Sequence, residues 1–111
     1  MTKNKILKIV LNMIPVLLMI GFIPVIGNDY YLSLIYIGII IISFVVRKEK
    51  HDLKIFFFGF FVMIISEIIF ISTGVEIFIR NSLFGLMPIW LPLLWGYGFV
   101  VMKRIIKIIE L

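Results

Sequence analysis

Arg47-Lys48-Glu49-Lys50-His51-Asp52-Leu53-Lys54 puts seven ionisable side chains into eight residues, between two segments that carry almost none. Tyr30 to Val46 has no charged residue, and Ile55 to Ser72 has only Glu67. The same alternation continues outward. Lys3, Lys5 and Lys8 precede an apolar run that reaches Ile26, and Lys103, Arg104 and Lys107 follow one that ends near Met102. Ten of the eleven Lys and Arg residues fall in these three clusters, with Arg80 the exception.

The apolar runs match the thickness of a bilayer. Spans are expected over 6–26, 30–46, 54–72 and 86–102, and about 17–21 helical residues cover roughly 25–31 Å against a hydrocarbon core near 30 Å. The chain thus reads as one all-α domain, residues 1–111, an integral membrane bundle of four antiparallel transmembrane helices. An even number of spans puts both termini and the middle loop on one side. All three basic clusters fall on that side, which makes it cytoplasmic. The lysines before the first span resemble a signal-peptide start, but the chain contains no alanine for a cleavage site, so that span is expected to be retained.

Composition excludes several classes. Hydrophobic residues make up 63% of the 111, and the mean hydropathy is +1.23, beyond what a water-soluble domain of this size can bury. The net charge of +5 belongs to span ends and headgroup contacts, so nucleic acid is not an expected partner. Cysteine is absent, which removes thiol chemistry and disulfides. His51 is the only histidine and lies in the middle loop, so no metal or other cofactor is expected.

Glu67 is the first candidate for chemistry. It lies about five residues, ~7.5 Å, from the outer end of the third span, where an ionisable group is expected to face the bundle and find a partner. At 100° per residue, Gly59, Met63, Ser66, Glu67, Phe70, Thr73 and Gly74 share one arc, with Ser72 opposite. Counting depth from the outer ends puts Tyr36 and Trp95 at the level of Glu67, so a Glu67–Tyr36–Trp95 layer, with Ser66 beside it, is the expected outer-leaflet pocket. Gly21 would give it space on the first helix. The plainer reading makes Glu67 a hydrogen-bonding tie between helices.

Two outer features accompany it. Glu76 and Arg80 stand four residues apart, the favourable order for a helical ion pair. An exposed pair there contributes little; alternatively Arg80 meets an anionic headgroup or folds toward Glu67. Pro88 suits the start of a helix, whereas Pro92 is expected to bend one. Tyr30, Tyr31 and Trp90 are placed in an outer aromatic belt. Asn12 and Pro15 mark a local kink in the first span, and Gly96 and Gly98 permit close helix approach. The tail after Met102 is expected to bend along the headgroups with its isoleucines down.

In length and span count the chain resembles the small multidrug resistance transporters. Their essential glutamate lies in the first helix, whereas here that helix has no acid, so their activity does not carry over. The run from Glu67 through Thr73-Gly74-Val75-Glu76 and Gly85 to Pro88-Ile89-Trp90-Leu91-Pro92-Leu93-Leu94-Trp95 is similar to a P-x-W-x-P-x-x-W arrangement in uncharacterised small prokaryotic membrane proteins. That likeness implies a multi-pass protein of a prokaryotic plasma membrane and brings no activity.

Three function classes follow. The first is binding or transport of a lipophilic or cationic ligand through the Glu67 pocket. The second is a non-catalytic interaction protein, an accessory subunit or immunity-type protein, whose partner is another membrane protein or a second copy. The third, a lipid-active enzyme, would need Glu67 and Glu76 as an acid–base pair, yet nine helical residues hold them ~13 Å apart. No residue is therefore assigned as catalytic.

Overall fold

Pro24, Asn28 and the polar middle loop set the ends of the first three helices. A computed structural model describes residues 2–47, 49–74, 83, 85 and 87–110. Helix α1 runs Lys3–Phe22, capped by Thr2, whose hydroxyl oxygen accepts from the Lys5 N–H at 3.3 Å. It stops four residues before the expected boundary because Pro24 has no N–H to extend the ladder, and the chain turns over residues 23–25. It passes through Pro15 as one helix, with the Asn12 side-chain amide donating to the Lys8 carbonyl at 2.8 Å. Helix α2, Asp29–Val46, starts under Asn28, whose Oδ1 accepts from the N–H groups of Tyr30 and Tyr31 at 3.0 and 3.2 Å.

His51 takes a left-handed backbone conformation (φ 71°), and α3 follows over Asp52–Ser72. Asp52 places a carboxylate at the positive end of that helix. Gly74, at φ 78°, closes the other end in the left-handed conformation that glycine adopts without strain. The expected ion pair of Glu76 and Arg80, the extra turn over 75–80 and the start of the fourth span at Leu86 lie outside the described residues.

The fourth helix differs from expectation. Helix α4 spans Leu91–Glu110 rather than 86–102. Leu83 and Met87 exchange backbone hydrogen bonds of 2.8 and 3.4 Å, and Gly85 has φ 70°, so none of these three residues is helical. Pro92 then falls at the second helical position, where its missing N–H is one of the unpaired first-turn donors, so it starts the helix instead of bending it. The tail does not turn away either; α4 continues as one helix to Glu110.

The result is an all-α arrangement of four helices, with no strand among the described residues. Helices α1, α2 and α3 are long and apolar enough to cross a membrane. Helix α4 carries Lys103, Arg104, Lys107 and Glu110, yet it is the inner helix, packed chiefly on α3 and also on α1 and α2. Its buried face includes Gly96, Tyr97, Val100, Val101 and Arg104, whereas α3 buries only a narrow stripe of Asp52, Phe56, Gly59 and Glu67. Met19, Leu32, Tyr36 and Trp90 complete the core. Leu17, Leu34, Val45, Phe58, Phe61 and Ile65 all face outward, a surface that water would not tolerate and lipid would.

Close approach of α3 and α4 depends on two glycines. A Cβ on Gly96 would lie 2.8 Å from the Phe56 carbonyl oxygen, and one on Gly59 would lie 2.6 Å from the Phe99 ring. Gly98 has open space instead. Gly96→Ala should therefore lower stability in detergent by about 1–3 kcal/mol. Gly98→Ala, the same chemical change without a neighbour, should leave the unfolding midpoint unchanged or raise it by up to about 1 kcal/mol in equivalent stability.

Candidate ligand-binding cleft

Arg104 is the most consequential buried polar side chain, at 2% exposure. Its Nη1 donates to Ser43 Oγ at 3.0 Å, and its Nη2 to the Arg47 carbonyl at 3.1 Å and to Asp52 Oδ2 at 2.6 Å. Its Nε stands 3.0 Å from Glu49 Oε2. One planar guanidinium thus joins the end of α2, the middle loop, the start of α3 and α4. Lys103 donates to the other Asp52 oxygen and, at 3.1 Å, to the Lys50 carbonyl. Ser43 Oγ is also 2.7 Å from the Tyr97 hydroxyl, and the Arg104 guanidinium lies 5.9 Å from the centre of the Phe44 ring.

Beside this knot a cleft of about 360 Å³ opens between α1, α2 and α4. Leu11, Pro15 and Leu18 form one wall, Ile39, Ile42 and Val46 the other. Asn12, Ser43, Tyr97, Arg47 and Arg104 bring polar atoms to it. A second recess of about 230 Å³ adjoins it, lined by Lys8, Arg47, Glu49, Arg104, Lys107 and Ile108. Arg47 and Arg104 belong to both, so an apolar slot leads into a mainly basic one. The N-terminal, middle and C-terminal basic clusters of the sequence therefore meet at one end of the bundle.

The residues singled out in the sequence lie elsewhere. Glu67 is buried on α3, at 4% exposure, and it is not without a partner. Ser66 beside it is half-buried. Tyr36 is fully buried, donating its hydroxyl to the Met19 carbonyl, and its aromatic neighbour is Trp90, edge-on with ring centres 6.0 Å apart. Trp95, 37% exposed, falls outside the buried face of α4 and does not take the place expected beside Tyr36. Because α4 starts at Leu91, Trp90 sits in the preceding turn and folds inward at 5% exposure, its Nε1 donating to Asp29 Oδ1 at 3.1 Å. It is therefore not part of a belt, whereas Tyr30 and Tyr31 do face outward. Gly21 faces open space, where an added Cβ would meet nothing within 4 Å. The expected polar stripe on α3 ends early, with Phe70, Thr73 and Gly74 exposed.

Sequence reasoning missed Arg104, Asp52, Ser43 and Tyr97. The available signal was Asp52 and Glu49 among basic neighbours, on the same side of the spans as the C-terminal cluster. No protein-family model, no curated protein and no solved structure matches the chain.

Arg104→Met should destabilise the protein by about 3–5 kcal/mol in detergent unfolding, since it leaves Asp52 buried without its guanidinium. The double variant Arg104→Met, Asp52→Leu should cost clearly less than the sum of the two single changes.

Proposed function

We propose that the chain is a multi-pass protein of a prokaryotic cell membrane, with termini and middle loop cytoplasmic, that binds a lipophilic molecule in the cleft between α1, α2 and α4. The observation that carries this reading is the cleft itself: a slot of about 360 Å³ with aliphatic walls and a few converging polar groups, the usual make-up of a small-molecule site. Its walls belong to helices whose outer faces are apolar, so a ligand would enter sideways from the bilayer. Ser43 and Tyr97 bring hydroxyls to it, but they are held by each other and by Arg104, and no carboxylate or histidine lines it among the described residues to act as their base, which favours binding or transfer over catalysis.

A second reading keeps Glu67 as the functional group. Its burial on a helix long and apolar enough to cross a membrane supports it, since ionisable groups at such positions are often functional. The ligand would then be cationic and the site near the opposite end of the bundle. The interaction-protein reading is favoured by no single contact in the structure.

One experiment separates the first two. Purified protein carrying endogenous amphiphile is stripped by detergent exchange, and retained ligand is measured by native mass spectrometry. Leu18→Trp, which fills the slot, should cut retention at least about tenfold, the loss expected when apolar contacts of more than ~1.4 kcal/mol are removed. Leu17→Trp, on the outer face, should not. Glu67→Gln should leave retention intact; loss with Glu67→Gln and not with Leu18→Trp would move the site to Glu67.

A further inference from the structure

The cations around the basic recess are not equivalent. Arg104 is committed to Asp52, Glu49, Ser43 and the Arg47 carbonyl, and Lys107 stands 3.7 Å from Glu49 Oε1. Arg47 and Lys8 remain. Among the described residues neither is paired with a carboxylate. Arg47 also lines both the apolar slot and the recess, at the point where one becomes the other.

Position gives that arrangement a chemical meaning. Arg47 immediately follows the last residue of α2, where a spanning helix would reach the headgroup layer. From there the α2 wall descends through Val46 and Ile42 to Ile39, eight residues or ~12 Å along the helix. A molecule matching this shape has an anionic head at the membrane surface and an aliphatic tail running inward. Arg supplies a planar fork for phosphate oxygens, and Lys8 a point charge from α1 on the other side.

Building on the reading of the cleft as a ligand site, we infer that Arg47 and Lys8 select an anionic phospholipid, its phosphate held in the basic recess and an acyl chain in the α1–α2–α4 slot. Arg104 does not act on the headgroup directly. It is a positioning residue that, through the Arg47 carbonyl and Ser43, fixes the end of α2 from which the Arg47 side chain extends.

The test is competitive lipid retention by the full chain in mixed micelles of phosphatidylglycerol and phosphatidylcholine with identical acyl chains, read by native mass spectrometry. The wild-type protein should retain the anionic lipid about thirtyfold better, the preference that two surface cations confer. Arg47→Gln with Lys8→Gln should bring the two lipids to parity while total retention persists. Arg47→Lys should keep most of the preference. Lys3→Gln with Lys54→Gln, the same change in net charge at exposed sites outside the recess, should keep all of it.

The outcomes divide cleanly. Equal retention of both lipids by the wild-type protein overturns the headgroup assignment and leaves the cleft reading standing. Retention of neither removes the cleft reading, and this inference with it. Preference lost equally in the Lys3–Lys54 control would assign the effect to diffuse charge and overturn the inference. Excess glycerol phosphate should displace nothing; displacement of the retained lipid would assign the recess to a soluble phosphate instead.

Discussion

Arg104 holds the structure together at one end, and most of the other features at that end follow from it. A guanidinium at 2% exposure needs its donors met by groups it can reach in one plane. Here its Nη donors are met from the end of α2 and from α3, while its Nε faces the Glu49 carboxylate of the middle loop at 3.0 Å as an ion pair without a hydrogen bond. Holding it therefore fixes where three separate parts of the chain end relative to α4. The basic recess, the position of Arg47 and the polar edge of the cleft are by-products of that one constraint. The ion pair is not in itself a source of large net stability, since desolvation offsets much of the attraction. It specifies an arrangement, and the arrangement makes the site.

The packing order of the helices follows from the same fact. In a water-soluble bundle the most apolar helix would be innermost. Here the innermost helix, α4, is the one with four charges, and the three more apolar helices present Leu, Ile, Val and Phe side chains outward. That order suits a surrounding hydrocarbon, in which burial of an aliphatic side chain gains little and association depends on close packing and polar ties. The structure supplies both. Gly59 and Gly96 let α3 and α4 touch, while Ser43, Tyr97, Asp52 and Arg104 tie α2, α3 and α4, and Tyr36 ties α2 to α1.

Charge and hydropathy along the chain identify α1, α2 and α3 to within a few residues, because depth in a membrane is a one-dimensional quantity that a sequence displays directly. Burial of Glu67 was legible for the same reason. The start of α4 was not, because whether Pro92 bends or begins a helix depends on the Leu83–Met87 bridge, a pairing that no periodicity reveals. Misplacing that start by five residues exchanged the roles of Trp90 and Trp95. The knot around Arg104 was hidden more deeply. Asp52 and Arg104 are 52 positions apart, and their being at the same depth says nothing about whether they face each other around the helix axes. That azimuth is set by three-dimensional packing alone.

The three basic clusters meet at one end of the bundle, and the proposed function puts that end on the cytoplasmic face of a membrane and the α1–α2 turn on the other. The absence of cysteine from the chain makes this directly measurable. Single cysteines at Gly27, His51 and Glu110 are probed with a membrane-impermeant maleimide in intact and in permeabilised cells. The account requires residue 27 to react in intact cells, and residues 51 and 110 to react only after permeabilisation. Reaction of residues 51 and 110 from opposite sides would contradict it, because Arg104 could not then reach Asp52.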